Sequence, residues 1–433
     1  MGLSNMSFKI DFLNAMVLIF MTIAYAYQIF FLFLGLYFKY KKVDKNIDKI
    51  KMYRYACVCS ARNEEAVIGQ LIRSLKNQNY PKELIDIYVI ADNCTDLTAF
   101  KAKQEGAYVI SRFDKNNRGK GYALDYFFHQ LQKRYDCLPY EGYFVFDADN
   151  IVDVNFVKEM NKIHNLGYDA ITSYRNSKNF DENWISASYS IWFLRESRFL
   201  NYPRFHCNTS CAISGTGFFV STKLINENNG WPYHLLTEDI EFSVNCAING
   251  NLIGYCDKAV VYDEQPVTFS QSWTQRMRWS KGFYQINTHY TIELIKGIFV
   301  NKKHRFSSYD LLMTTAPSMI LTLSVIGFNL FLLIDCILNP SRLSYVNTET
   351  LSVTSNYIFF ALINFYLIMY FCGVVTILSE WKKIRTTSFK KIIYSFMFPI
   401  FMMTYIPIAL VALFKKVEWK PIKHFATDNS NHF

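Results

Sequence analysis

Hydrophobic positions follow two different patterns along the chain. Four long runs are almost wholly apolar: Phe12–Tyr37, Leu311–Leu338, Tyr357–Leu378 and Ile392–Phe414. Each reaches the ~20 residues that a helix needs to cross a bilayer. Between the first run and the second, the pattern breaks into short pieces. Tyr55–Ser60, Ile87–Ala91, Ala107–Ile110 and Tyr143–Asp147 read as strands, with Glu64–Gln78, Leu97–Glu105 and Tyr122–Arg134 as helices between them. Short β-rich runs alternating with amphipathic helices predict an α/β fold with a mostly parallel sheet and helices on both faces. Such sheets bind ligands at the carboxyl ends of their strands.

Charge orients the apolar runs. Phe12–Tyr37 is followed, not preceded, by basic residues, among them Lys39, Lys41, Lys42 and Lys45. It is also too long for the core of a signal peptide, so it reads as an uncleaved anchor with its C-terminal side in the cytosol. Ser341–Asn356 has one arginine and no lysine and reads as external, whereas Trp381–Lys391 carries Lys382, Lys383, Arg385, Lys390 and Lys391 and reads as cytosolic. A full crossing by the last run would put Lys415, Lys416, Lys420 and Lys423 outside, against the same rule. Pro399 and Pro407 offer the alternative of a re-entrant or interfacial element.

Composition fits a mixture of water-soluble domain and bilayer segments: 51% hydrophobic, 17% aromatic, yet 19% charged. The net charge of +10 sits largely beside apolar runs, which favours an anionic membrane surface over nucleic acid, and no nucleic-acid partner is expected. Ten cysteines without a CxxC pair signal no zinc framework and fit a reducing compartment. Cys57 and Cys59 read as small buried hydrophobes in a strand.

Acidic and polar residues fall just past three of the predicted strands. The first runs into Ser60–Glu65, the second into Asp92–Asp96, and the fourth ends in Asp147–Asp149. Carboxylates two residues apart suit a hard divalent cation, Mg2+ or Mn2+, that keeps waters and bridges phosphates. The plain alternative is a solvated turn; the apolar residues Tyr143–Phe146 ahead of the pair, and Asp92 at a matching strand end, argue for a site. Asp92 closes its strand and is the better nucleotide contact, whereas Asp96 reads equally as a helix cap. Thr237-Glu238-Asp239 precedes an amphipathic run. It reads either as a cap with an acidic first turn or as the place of a general base, Asp239. In Gln275–Trp279, Arg278 offers a planar fork for phosphate oxygens, Gln275 a donor, and Trp279 a flat face for a sugar ring. The alternative there is an interfacial helix whose arginines reach to lipid headgroups.

These clusters, in this order, resemble those of the inverting family-2 glycosyltransferases of the GT-A fold. The similarity is strongest to the membrane-embedded synthases of poly-N-acetylglucosamine, chitin, hyaluronan and cellulose. It rests on Asp92, Asp147 and Asp149, Thr237–Asp239, and the QxxRW motif of Gln275, Arg278 and Trp279. The early motif at Ala91–Asp96 lacks the paired aspartates typical of cellulose synthases. The resemblance implies roles. Glu64 and Asp92 would contact uridine, Lys120 the base or phosphates, and Asp147 the nucleotide. Asp149 would ligate the metal. Asp239, with Glu238 beside it, would be catalytic, and Gln275 and Arg278 would hold the leaving diphosphate. Trp279 would stack on the acceptor sugar, with Gly215 and Thr216 lining the acceptor path.

The implied plan has an N-terminal anchor and basic segment at 1–50 and a cytosolic GT-A domain at 51–265. Interfacial helices with QxxRW follow at 266–310, and a C-terminal membrane region with a basic tail at 311–433. The implied reaction is processive transfer from a UDP-sugar to a growing polysaccharide at the cytosolic face of the cell membrane. The alternative is single addition to a membrane lipid, giving a glycolipid. The implied partners are the UDP-sugar, a polysaccharide or glycolipid acceptor, the lipid bilayer and an accessory export or membrane subunit.

Overall fold

Strand β1, Tyr55–Ala61, is buried along its length, and its side chains divide between two cores. Tyr55, Cys57 and Cys59 join one hydrophobic cluster, and Ala56 and Val58 join the other. A strand apolar on both faces needs cover on both, and helices supply it. The computed structural model describes residues 4–41, 50–134, 139–300, 304–315, 317–338, 345–418 and 424.

Helix α1 (Ser4–Lys41) precedes β1. The chain then alternates through α2 (Ile68–Lys76), β2 (Ile85–Asp92), α3 (Thr98–Gln104), β3 (Tyr108–Arg112), α4 (Lys120–Arg134) and β4 (Gly142–Asp147). Next come β5 (Ile151–Val152), α5 (Phe156–His164), β6 (Ala170–Ser177), α6 (Trp184–Glu196) and α7 (Tyr202–His206). They lead to β7 (Phe218–Ser221), α8 (Thr222–Glu227), α9 (Glu238–Ile248) and β8 (Ile253–Asp263). The remaining helices are α10 (Phe269–Val300), α11 (Arg305–Thr315), α12 (Pro317–Leu338), α13 (Tyr345–Ser379), α14 (Ser388–Met403) and α15 (Tyr405–Phe414). The expected strands and helices of the first half are all present, within a few residues of their expected ends.

The strands form one sheet in the order β3-β2-β1-β4-β7-β6-β8-β5. β1 pairs in parallel with β2 and β4, β2 with β3, and β6 with β8. β7 runs antiparallel to both β4 and β6, and β5 antiparallel to β8. Strand order reverses between β1 and β4, which opens a crevice at their carboxyl ends. There Ser60 is the register partner of Asp147.

Among the described residues, three stretches are long and apolar enough to cross a bilayer: Asp11–Lys41, Ser352–Ser379 and Ser388–Phe414. The expected run Leu311–Leu338 divides. Leu311, Leu312 and Met313 are buried in α11 against Ile240, Val244 and Ile286, so that part belongs to the packed body. Past residue 316, which lies outside the described residues, α12 is apolar from Pro317 to Leu338. Asn14 of α1 and Asn329 of α12 exchange amide hydrogen bonds of 3.2 and 2.9 Å, a polar tie between apolar helices.

The last apolar run is broken at Thr404, between α14 and α15. Pro407 has no N–H to donate back along the helix. The buried Arg276 of α10 caps the break, donating to Phe401 O at 3.0 Å and Thr404 Oγ1 at 2.7 Å. Arg276 thus serves the protein interior and not lipid headgroups. Both ends of this run touch the sheet domain or its neighbours. Lys390 Nζ donates to Asp181 O at 2.8 Å, and Lys281 Nζ to Leu413 O at 3.3 Å. Of the basic tail, Lys420 and Lys423 lie outside the described residues.

Glu380, just past α13, ties membrane helices to sheet. Its side chain is fully buried and paired with Arg198 at 2.8 Å and with Lys39 of α1 at 3.0 Å. Tyr174 of β6 donates to it at 2.7 Å. Glu380→Ala is expected to lower the stability of the detergent-solubilised chain by about 3 kcal/mol, the cost of leaving a buried guanidinium unpartnered. A thermal melt checks this against the double variant Arg198→Met/Glu380→Leu, which should recover much of the loss.

Candidate functional site

The strand-end loops converge on one cavity of about 600 Å3. Two asparagines in the left-handed region, Asn63 (φ 58°) and Asn93 (φ 54°), turn the chain sharply after β1 and β2. The loops are clipped together: Thr95 N donates to Asn63 Oδ1 at 2.8 Å, and Glu65 N to Asp96 Oδ2 at 3.1 Å. Asp96 also accepts from Thr98 N at 3.0 Å, so it caps α3. This leaves Glu64 and Asp92 on the cavity wall. Asp92 is itself buried and accepts from Arg112 Nη1 at 2.6 Å.

Asp147 and Asp149 line the same cavity past β4. Lys120, at the start of α4, donates to Asp147 Oδ1 and to Gly215 O, both at 2.6 Å. This close seat depends on Gly121, where a Cβ would lie 2.1 Å from Tyr233 O. Burial pushes the Lys120 ammonium down, but the charges of Asp147, Glu238 and Asp239 outweigh it and its pKa ends raised. Asp149 Oδ2 accepts from Glu264 N at 2.8 Å. Burial pushes Asp149 up, yet His424, Lys178, the Glu264 N–H and Arg175 together hold it below the usual carboxylate range.

Gly215 is the meeting point. It has φ +76°, and a Cβ there would lie 3.9 Å from Asp239 Oδ2 and 4.0 Å from Asp147 Oδ2. Carboxylates from β4 and α9 therefore face each other across this turn. Thr216 is placed differently from its neighbour. It is buried off the cavity lining, and its hydroxyl accepts from Asp147 N at 2.9 Å and donates to Asn150 Oδ1. It positions Asp147 and does not reach an acceptor path.

Glu238 and Asp239 occupy the first turn of α9. The plain capping reading of Thr237 does not hold, since its side chain makes no cap hydrogen bond. Instead Thr237 packs on Gly282 of α10, where a Cβ would meet its side chain at 2.5 Å. Burial, then the adjacent Asp239 charge, push Glu238 up to about 7. Burial raises Asp239 as well, against the N–H of Ile240 and the charges of Arg278 and Lys120.

Gln275, Arg278 and Trp279 project from α10 onto the cavity. Arg278 Nη1 donates to Leu236 O at 2.8 Å, which holds its fork beside Thr237–Asp239. Gln275 Oε1 is buried without a partner, a group that a bound ligand would satisfy. Trp279 packs edge-on against Tyr189 and Phe193 of α6.

Three further groups carry no motif in the sequence. His424 lines the cavity with Nδ1 3.1 Å from both Glu64 carboxylate oxygens. Burial pushes His424 down, but Asp149, Glu64 and Glu264 drive it up to about 10. Arg175, within β6, donates to Asp263 Oδ2 at 2.7 Å and Ser214 O at 2.9 Å. A charged residue inside a buried strand, and an aspartate at the end of β8, were the signals for that pair. Glu196, ending α6, accepts from Ser214 Oγ.

Asp147 and Asp149 offer hard oxygen donors on a cavity wall. That chemistry fits one Mg2+ or Mn2+ completing its shell with ligand oxygens and water.

Known proteins resemble this chain in sequence and in fold. Residues 54–282, just over half of the chain, match the profile described as glycosyltransferase like family 2. Beta-monoglucosyldiacylglycerol synthase from a Nostoc species is 26% identical over 279 residues, covering 62% of this chain and 56% of that protein. Poly-beta-1,6-N-acetyl-D-glucosamine synthase from Staphylococcus aureus is 25% identical over 293 residues, covering 65% of each. In both cases the match spans less than two thirds of the relative. The mannosyltransferase PcManGT from Pyrobaculum calidifontis, solved with GDP-Man and Mn2+, superposes with a TM-score of 0.52 at 12% identity, over 93% of this chain and 99% of that one. That likeness is one of fold, and the fold is GT-A. With its family match running from β1 through QxxRW, the chain belongs to glycosyltransferase family 2.

Proposed function

We propose that this chain transfers a sugar from a UDP-sugar to an acceptor hydroxyl by a single, inverting displacement at the cytosolic face of the cell membrane. The observation that carries this reading is the one cavity shared by Glu64, Asp92, Asp147, Asp149, Asp239 and Arg278. Glu64 and Asp92 hold the uridine, and Lys120 and Asp147 the nucleotide. Asp149 would hold Mg2+ or Mn2+, which when bound supplies positive charge against the diphosphate. Arg278 and Gln275 bind the departing diphosphate oxygens, where negative charge grows as the sugar leaves. Asp239 takes the proton from the attacking hydroxyl, which adds to the anomeric carbon from the opposite face. An α-linked donor then gives a β-linked product.

A growing polysaccharide is the acceptor favoured by the setting of QxxRW beside membrane helices, and by the polymer-forming relative. A membrane lipid is the second reading, and a specific observation favours it. Besides Trp279, the cavity is lined by Phe365, Met369, Met402, Ile406 and Ala409, apolar residues of α13, α14 and α15. An acyl chain suits such a wall better than a sugar chain. Either acceptor arrives from the membrane side.

The proposed topology is multi-pass, with α1, α12 and α13 crossing and α14–α15 returning to the cytosolic side. Support comes from the contacts of both ends of α14–α15 and from its break at Thr404. This arrangement keeps Lys415 and Lys416 on the side the charge rule requires.

Asp239→Asn should lower kcat by about 10^3-fold while donor KM stays within about twofold, as loss of a general base does. Steady-state kinetics on the purified chain test it; near-normal turnover sinks the assignment. The pH profile gives a second check. Asp239 must be ionised to accept a proton, and its pKa is raised, so activity should rise with pH through a value above the free-carboxylate range. Sizing the product made with UDP-glucose or UDP-N-acetylglucosamine separates the acceptors: a ladder means polymer, a single glycolipid means one addition.

A further inference from the structure

The acceptor side of the cavity holds polar groups that the reaction above leaves unused. Glu196 ends α6 on the cavity wall, where Ser214 Oγ donates to its carboxylate. Beside it, Arg195 Nη2 donates to Gln28 Oε1 at 2.9 Å. Gln28 lies on α1 within the apolar stretch Asp11–Lys41, and it lines the cavity as well. A glutamine inside a membrane helix is costly unless it is partnered, and such residues tend to serve a site. The surrounding wall is apolar, from Trp192, Phe193 and Leu200.

We propose that Glu196 and the Gln28–Arg195 pair read the hydroxyls of the acceptor and seat it against Asp239, so that α1 is a wall of the acceptor subsite as well as an anchor. The inference rests on the reading of Asp239 as the base, and it adds the class of acceptor. Three features carry it. The groups lie on the same cavity as Asp239, and Glu196 is within reach of its charge. Glu196 also touches Ser214, next to the Gly215 turn on which Asp147 and Asp239 converge. A carboxylate, an amide and a guanidinium on an apolar wall match neutral hydroxyls, and they need such partners when water is displaced. Either a sugar terminus or a glycerol headgroup presents neutral hydroxyls of this kind.

The test uses the full chain in vesicles, with UDP-glucose and UDP-N-acetylglucosamine as donors. One arm supplies dioleoylglycerol as acceptor, and the other supplies N-acetylglucosamine oligosaccharide. Glu196→Gln and Gln28→Leu should each raise the acceptor KM about tenfold or more, the worth of a hydrogen bond to a charged or buried partner. Glu196→Asp, which keeps the charge, should recover part of the loss. The donor KM should move by less than about twofold, a split that a general packing defect would not produce. The arm that shows the effect identifies the source of the hydroxyls. An unchanged acceptor KM in both variants overturns the proposal, as do equal shifts in donor and acceptor KM. Donor cleavage without transfer to either probe overturns the acceptor class. No donor cleavage at all by the unsubstituted chain defeats the underlying transferase reading instead.

Discussion

Like charges brought close together in a partly dry cavity repel strongly, and this chain gathers Asp147, Asp149, Glu238 and Asp239 around one space. Much of the local architecture answers that constraint. Lys120 sits between Asp147 and the Gly215 carbonyl, with Glu238 and Asp239 also within reach of its charge. Arg175 joins Asp263 to the Ser214 carbonyl on the other flank. Arg278 is held by Leu236 O beside the α9 carboxylates. Lys120 and Arg175 each tie a carboxylate to the Ser214–Gly215 backbone, and Arg278 ties α10 to the segment before α9, so neutralising the carboxylates also fixes β4, β8, this turn and α9 in one geometry. A cavity held in this way has its charged groups placed before any ligand binds.

The membrane helices are part of that geometry. Helix α10 carries three side chains that point to three tasks: Arg278 to the cavity, Arg276 to the break at Thr404, and Met277 to a small core with Ile408 and Ala412 of α15. Gly282 lets the same helix approach Thr237. Displacing α15 would therefore displace the Gln275–Trp279 surface relative to Asp239. Buried Glu380 plays the matching part at the far side, binding α1, the Ser197–Asn201 segment and β6 at one point.

What could be read in the residues was what repeats locally. Strands β1 to β4 announce themselves by apolar runs, and the loops after β1, β2 and β4 by acidic ends, because strand burial and crevice position are set over a few residues. Gln275–Trp279 was legible as a cluster, but not that its Arg276 faces inward, since helix rotation depends on what α14 and α15 present. Thr216 carried no mark separating it from Gly215, although one braces Asp147 from below and the other faces the cavity. His424 lies 360 positions from Glu64, and no periodicity links residues so far apart. The division of Leu311–Leu338 escaped for the opposite reason: a core helix and a membrane helix are both apolar, and only the neighbours tell them apart.

The shape of the cavity also bears on how two unlike substrates meet. Glu64, Asp92 and Lys120 line it at the strand termini. Phe365, Met369 and Met402, of α13 and α14, line it too, as do Asp239 and Trp279. A single displacement needs both substrates present at once and in line, because no enzyme-bound sugar stores the intermediate. On the proposed reading, a nucleotide held by the polar lining and an acceptor held by the apolar lining would meet that requirement without either blocking the other. Inversion would then follow from in-line attack on the face of the anomeric carbon away from the diphosphate.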